Sequence, residues 1–253
     1  MRVIAGIQIT KDGAVKTQKF EKKIYLGDPV NIVRILNEKG AQEIAIFDIA
    51  STISKQIDYN FVQSISEELY IPVSYGGGIN SDTNISDLKK LGVERLILGS
   101  LYIQDVKSTK LLSDVFGSSS ISASIDILSF DQELNLLKLS LNGMTNFTTI
   151  TVENLFEVLD LSGVGEIIFR HINFDGMKNS EVLRIYSDLL LNSTVQKNLH
   201  KYQVLIGSGV YSHDILREVE DNLPIDGVIL GSLICLTRNG SVLISYPTAH
   251  SIL

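Results

Sequence analysis

Leu96-Ile97-Leu98-Gly99-Ser100-Leu101 and Val228-Ile229-Leu230-Gly231-Ser232-Leu233 are nearly the same apolar run, each closing on Gly-Ser-Leu. Each follows, by 23 or 24 residues, a run that ends in small residues: Gly76-Gly77-Gly78 in the first case and Gly207-Ser208-Gly209 in the second. A four-part match at a fixed offset implies two halves of one domain. Glycine lets an anion approach the backbone, and serine adds a hydroxyl donor without a charge. Gly77, Gly78, Gly99 and Ser100 therefore form one candidate phosphate cradle, and Gly207, Ser208, Gly209, Gly231 and Ser232 a second. The natural ligand is expected to carry two phosphates far apart.

Working outward from these runs, short β-rich segments recur near residues 2–9, 44–49, 71–75, 95–99, 121–127, 166–171, 203–207 and 227–231. Apolar residues at three- and four-residue intervals predict helices over 29–39, 60–69, 82–91, 108–116, 153–161, 179–191 and 212–220. Asp28-Pro29 and Ser81-Asp82 read as helix starts, Lys39-Gly40 and Leu91-Gly92 as helix stops. Eight strands alternating with helices, without long linkers, predict an α/β fold. Its form is a (β/α)8 TIM barrel with an internal half-barrel repeat, one domain over 1–253. A doubly wound sheet is the alternative, but Ile9-Thr10-Lys11-Asp12-Gly13 is not the glycine-rich turn that fold requires. Alternation over 133–141 followed by Asn142-Gly143 predicts a small hairpin within 128–150, inserted after the fifth strand.

Composition narrows the function classes. Of 253 residues, 44% are hydrophobic, enough for a large core. The net charge of −7 argues against a nucleic-acid or anionic-membrane surface, so any phosphate binding is local. Cys235 is the single cysteine, sits in an apolar context and reads as a packing residue, which fits a reducing compartment. No run approaches membrane-spanning length, and Arg2 leads straight into a strand, so a cytoplasmic protein is expected. His171, His200, His213 and His250 lack metal-ligand spacing. No metal or cofactor is assigned.

The half-barrel repeat aligns Gly6-Ile7-Gln8-Ile9 with Ser124-Ile125-Asp126-Ile127 on opposite strands. Burial in a barrel mouth would raise the proton affinity of Asp126 toward a range useful for acid–base work. The residues alone leave open whether Asp126 titrates or only caps the turn after its strand. Gln8 occupies the place of a second carboxylate, and glutamine holds no exchangeable proton.

Val3-Ile4-Ala5 with Lys11-Asp12-Gly13, Gly27-Asp28-Pro29, Phe47-Asp48-Ile49, Gly76-Gly77-Gly78-Ile79, Ile125-Asp126 and Asp175-Gly176 run in order along the chain. Together they resemble the cyclase subunit of imidazole-glycerol-phosphate synthase, the HisF family. The resemblance implies a bisphosphorylated ribulosyl-imidazole substrate, cyclised with ammonia from a separate HisH-like glutaminase subunit docked at the N-terminal face of the barrel. It implies a catalytic role for Asp126, a loop lysine at Lys16, and Gly176 as a further phosphate contact. The chain departs from the family at Gln8, where an aspartate belongs. It departs again at Arg170, where a small hydroxyl residue is expected, and at Asn173, where an acid is expected. Arg2, Glu43, Arg95 and Glu166, each directly before an apolar strand, match the family's charged ammonia gate, with arginine at 95 in place of lysine. Glu94 matches an acidic docking residue.

Residues 13–20 and 25–31 further resemble a HisF-like paralogue encoded with surface-polysaccharide genes. That branch implies an additional partner, a sugar amidotransferase that converts an acetamido group to an acetamidino group. Three readings stand: an ammonia-accepting subunit of such an amidotransferase, an ordinary cyclase of histidine biosynthesis, and an inert scaffold that activates a glutaminase. A sugar-phosphate isomerase of the sister family would need a carboxylate at position 8 and no charged gate.

Overall fold

The computed structural model describes residues 1–81, 83, 85–179, 181–237 and 239–247, so Asp82 of the expected helix start, Arg238 and His250 lie outside the described residues. Eight parallel strands close on themselves. They are β1 (Arg2–Thr10), β2 (Ile44–Asp48), β3 (Val73–Gly76), β4 (Val93–Leu98), β5 (Ile121–Asp131), β6 (Glu166–His171), β7 (Gln203–Ile206) and β8 (Gly227–Leu230). Pairing runs in order round the ring and is completed by β8 against β1, with Val3 opposite Val228. Helices such as Pro29–Glu38, Val106–Phe116, Val152–Ser162 and His213–Asn222 cover the outside. The architecture is the expected (β/α)8 barrel.

Local chemistry explains the element boundaries. Helix Pro29–Glu38 opens on Asp28, whose carboxylate accepts from Asn31 N at 2.9 Å, and proline sits where no amide donor is needed. Helix Val152–Ser162 opens on Thr151 and closes on left-handed Gly163. The expected 60–69 helix is Tyr59–Ser66, opened by Asp58. The expected 179–191 helix is Val182–Leu190, with Ser193–Leu199 following it. The short helices Ile49–Ser54, Leu101–Gln104 and Ser232–Cys235 carry too few turns to show a periodic signature in the sequence.

Two antiparallel extensions depart from expectation. The insertion after β5 is a three-stranded meander: β5 itself runs on to Asp131 and pairs with Leu136–Leu141, which pairs with Asn146–Thr151. Asn142 and Gly143 take positive φ at its second turn, as their sequence predicts. A hairpin of Gly13–Gln18 and Lys22–Gly27 follows β1 and was not expected, because its turn at Lys19 and Phe20 uses two non-glycine residues at positive φ. Both extensions follow equivalent strands of the two half-barrels.

Period-two alternation sends every second strand residue into the barrel. Ile4, Ala45, Ile97, Ile168, Leu205 and Ile229 fill the middle layer. One step earlier on the same strand faces lie the charged residues at the strand starts, and one step later the residues of the mouth. Gly77 adopts φ +135°, and a Cβ there would stand 2.2 Å from the Asp48 carbonyl oxygen, whereas a Cβ on Gly99 would meet nothing within 4 Å. Gly77→Ala should therefore destabilise the barrel by about 2 kcal/mol or more, and Gly99→Ala by about 0.5 kcal/mol or less. Urea unfolding of both variants checks the contrast, and equal effects would contradict it.

Candidate functional site

At the N-terminal end of the barrel the four strand-start charges alternate in sign and pair directly. Arg2 reaches Glu166 at 2.6 Å and Glu43 at 2.8 Å. Arg95 makes longer contacts, 3.4 Å to Glu43 and 3.9 Å to Glu166, and also donates to the Ser119 carbonyl at 3.3 Å. Ser122 donates to Glu166 at 2.5 Å, and Ser74 to Glu43 at 3.3 Å. Glu43 and Glu166 are buried, so their charges need these partners. Glu94 stands exposed beside the ring. The ring read from the sequence is thus one closed network.

At the other end, register alone brings Asp126 beside Arg170, since the two are direct neighbours across β5 and β6. Arg170 Nε and Nη2 each donate to an Asp126 carboxylate oxygen at 2.7 Å. Burial pushes the Asp126 carboxyl above the usual carboxylate range, while Arg170 and Ser124 pull against that shift without cancelling it. A carboxylate gripped on both oxygens by a guanidinium is poorly placed to take or give a proton. The Arg170 guanidinium is itself held between two rings, 4.9 Å from the centre of Phe20 and 4.6 Å from that of Phe47.

The 13–27 hairpin folds down onto this mouth and is latched by Asp175. Lys16 Nζ pairs with Asp175 Oδ1 at 2.6 Å, Thr17 Oγ1 donates to Asp175 Oδ2, and the Phe20 amide donates to the same oxygen at 3.4 Å. Gln8 is absorbed by the latch too: its amide donates to Thr17 Oγ1 at 2.8 Å and accepts from Thr17 N at 2.9 Å. Gly176 belongs to the same packing, because a Cβ there would stand 2.2 Å from the Thr17 carbonyl oxygen. Lys16, expected on a loop, is therefore a buried strand residue.

All the candidate residues of the mouth gather at one end, but the two glycine cradles are unlike. Gly77, Gly78, Gly99 and Ser100 border a cavity of about 330 Å³ that reaches Asp126 and Arg170. Gly207, Ser208, Gly209, Gly231 and Ser232 border one of about 30 Å³. Gln8, Phe20, Phe47 and Arg170 line both and stand between them. Ser100 Oγ accepts from Asn142 N at 2.8 Å, tying the meander after β5 to the first cradle.

Other singled-out groups lie outside the mouth chemistry. Burial pushes the Cys235 thiol up to about 12 and the His171 imidazole down to about 4, leaving both uncharged near neutrality. Among the described residues no group of His, Cys, Asp and Glu could hold a metal ion, and no helix is long and apolar enough to cross a membrane. Sequence reading gave no role to Thr17, Phe20 or Phe47, whose parts depend on the unforeseen hairpin.

Residues 2–238 match the family described as histidine biosynthesis protein. The chain belongs to the HisF family. It is 34% identical over 250 residues to a Leptospira interrogans protein named for the HisF subunit of imidazole glycerol phosphate synthase, covering 97% of this chain and 94% of that protein. A Pseudomonas aeruginosa protein named for subunit hisF2 of the same enzyme is 29% identical, over 99% of this chain and 97% of its own length. Imidazole glycerol phosphate synthase subunit HisF of an Exiguobacterium species is 31% identical over 74% of this chain and 73% of its own.

Within this HisF-type barrel, Arg170 is the residue that restrains Asp126. Arg170→Ser removes the opposing charge, so the Asp126 carboxyl should titrate higher than in the wild type, as carbon NMR of the carboxyl would record. A carboxyl raised above its unfolded value of 3.8 stabilises fully below that value, and the contribution is lost as pH rises through the folded value. At neutral pH the variant should lose about 3 kcal/mol, the cost of stranding one member of a buried pair, and less near pH 4. Identical pH dependence of urea unfolding in both proteins would contradict this account.

Proposed function

We propose that the chain is the ammonia-accepting barrel subunit of a glutamine-dependent amidotransferase, and that its own cyclase chemistry is disabled. The observation that carries the reading is the contrast between the two ends. The charged ring is intact and closed by Arg2, Glu43, Arg95 and Glu166. The mouth instead has glutamine at position 8, spent on Thr17, and an Asp126 spent on Arg170. A glutaminase of the HisH type docks at the ring face, beside Glu94, and ammonia enters as the ring opens at Arg95, whose ion pairs are longer than those of Arg2. The apolar layer of Ile4, Ala45, Ile97, Ile168, Leu205 and Ile229 admits neutral ammonia and resists ammonium, whose burial without a partner is costly. The likeness of residues 13–20 and 25–31 to the polysaccharide paralogue supports ammonia delivery for acetamidino-sugar formation, with a sugar amidotransferase as the receiving enzyme.

Two measurements test this. The purified chain, given ammonium salt and the bisphosphorylated ribulosyl-imidazole intermediate, should form imidazole glycerol phosphate about 100-fold or more slowly than a HisF that keeps both aspartates, the usual worth of one acid–base group. A comparable rate would restore the histidine-pathway reading. In the complex with its glutaminase, Arg95→Ala or Glu166→Ala should lower glutamine-dependent turnover more than ammonia-dependent turnover. Equal losses in the two assays would reject the gate.

A further inference from the structure

The matched cradles imply a ligand with two phosphates, yet the folded mouth treats its two halves differently. Beside Gly77 and Gly78 the space that glycine leaves is taken by the Asp48, Ser51 and Gln56 backbone and beside Gly99 it is free, whereas beside Gly207, Gly209 and Gly231 it is taken by side chains. A Cβ on Gly231 would stand 3.1 Å from Lys16 Cε, and one on Gly207 would stand 2.9 Å from Arg170 Cγ. A Cβ on Gly209 would reach Val182 at 2.3 Å. The cavity that remains there, about 30 Å³, is about a tenth of the other's about 330 Å³, and the buried Ser208 borders it. Both cations nearby are committed, Lys16 to Asp175 and Arg170 to Asp126.

The other half has room and an available charge. Gly99 faces nothing within 4 Å, and its cavity of about 330 Å³ lies in the range of small-molecule sites. Exposed Lys55 lines its rim and enters no ion pair among the described residues. Between the halves stands a wall of Phe20, Arg170 and Phe47, locked by two cation–π contacts and by the bidentate grip on Asp126.

We propose that this wall converts a two-phosphate mouth into a site for a single phosphate monoester of sugar size, seated on the Gly78–Gly99–Ser100 side with Lys55 at its rim. Phe20 and Lys16 act as specificity determinants by filling the second cradle from the hairpin. The inference stands on the mouth alone, so its test reads nothing of the ammonia entrance.

Calorimetric titration of the full chain with ribose 5-phosphate and with ribulose 1,5-bisphosphate decides the matter. The monophosphate should bind one to one, and the bisphosphate should gain less than about tenfold in affinity over it. Gly99→Asp should weaken the monophosphate by about tenfold or more, through charge repulsion in the cradle. The double variant Lys16→Ala, Phe20→Ala should shift the ratio of the two affinities toward the bisphosphate by about tenfold or more. That ratio is insensitive to a partly unfolded sample, and circular dichroism verifies the fold. A wild-type preference of tenfold or more for the bisphosphate, no binding of the monophosphate at millimolar concentration, an unaffected Gly99→Asp, or an unchanged ratio in the double variant would each overturn the proposal.

Discussion

A charge that points into a closed parallel barrel has no bulk water to answer it, and that constraint organises both ends of this molecule. Closure of β8 on β1 leaves no sheet edge through which solvent could reach the interior. Glu43 and Glu166 at the bottom are accordingly held by Arg2 and Arg95, and Asp126 at the top by Arg170. Strand geometry spaces the two sets: four residues along one strand face, as from Glu166 to Arg170, span about 13 Å. The middle layer between them is apolar. The barrel is therefore two polar ends separated by a hydrocarbon plug, and each end balances its own charge.

That balance gives Arg170 its importance. A small hydroxyl residue at this position would leave Asp126, among the described residues, with Ser124 as its side-chain donor at 3.2 Å and with a carboxyl able to titrate in the mouth. With arginine there, the carboxylate becomes half of a buried pair, and the guanidinium becomes a shelf for Phe20 and Phe47. One residue so links the pairing of Asp126 to the position of the hairpin. Asp175 completes the arrangement from the next loop by gathering Lys16, Thr17 and the Phe20 amide. Gln8 fits the same logic, because an amide can accept from the Thr17 amide and donate to its hydroxyl at once, which an ionised aspartate cannot do.

The ring and the mouth were legible in the sequence to different depths. Arg2, Glu43, Arg95 and Glu166 each precede an apolar strand; any one such charge reads as a solvated strand end, and it was the set of four, two of each sign, with the family resemblance that made their convergence readable. The Gly-Ser repeats located the mouth as well. What they could not give was the state of each cradle. A glycine leaves room for an anion or for a side chain such as Lys16 or Arg170, and the sequence does not say which, because that depends on where the 13–27 hairpin lies. That hairpin was itself hidden, since its turn residues Lys19 and Phe20 carry no glycine or asparagine signal.

By itself the sequence determined the barrel and the inward-facing positions through periodicities of two and 3.6 residues, the twofold repeat through the matched Gly-Ser runs, and the family through motifs that run in order along the chain. Only the tertiary structure decided which inward-facing groups neutralise one another. Arg170 and Asp126 are 44 residues apart, and Lys16 and Asp175 are 159 apart. Such pairings are set by register across the closed sheet and by the docking of one hairpin, neither of which leaves a trace in local pattern. The repeated Gly-Ser turns marked the mouth of the barrel, and the three-dimensional packing set the Lys16 side chain beside Gly231.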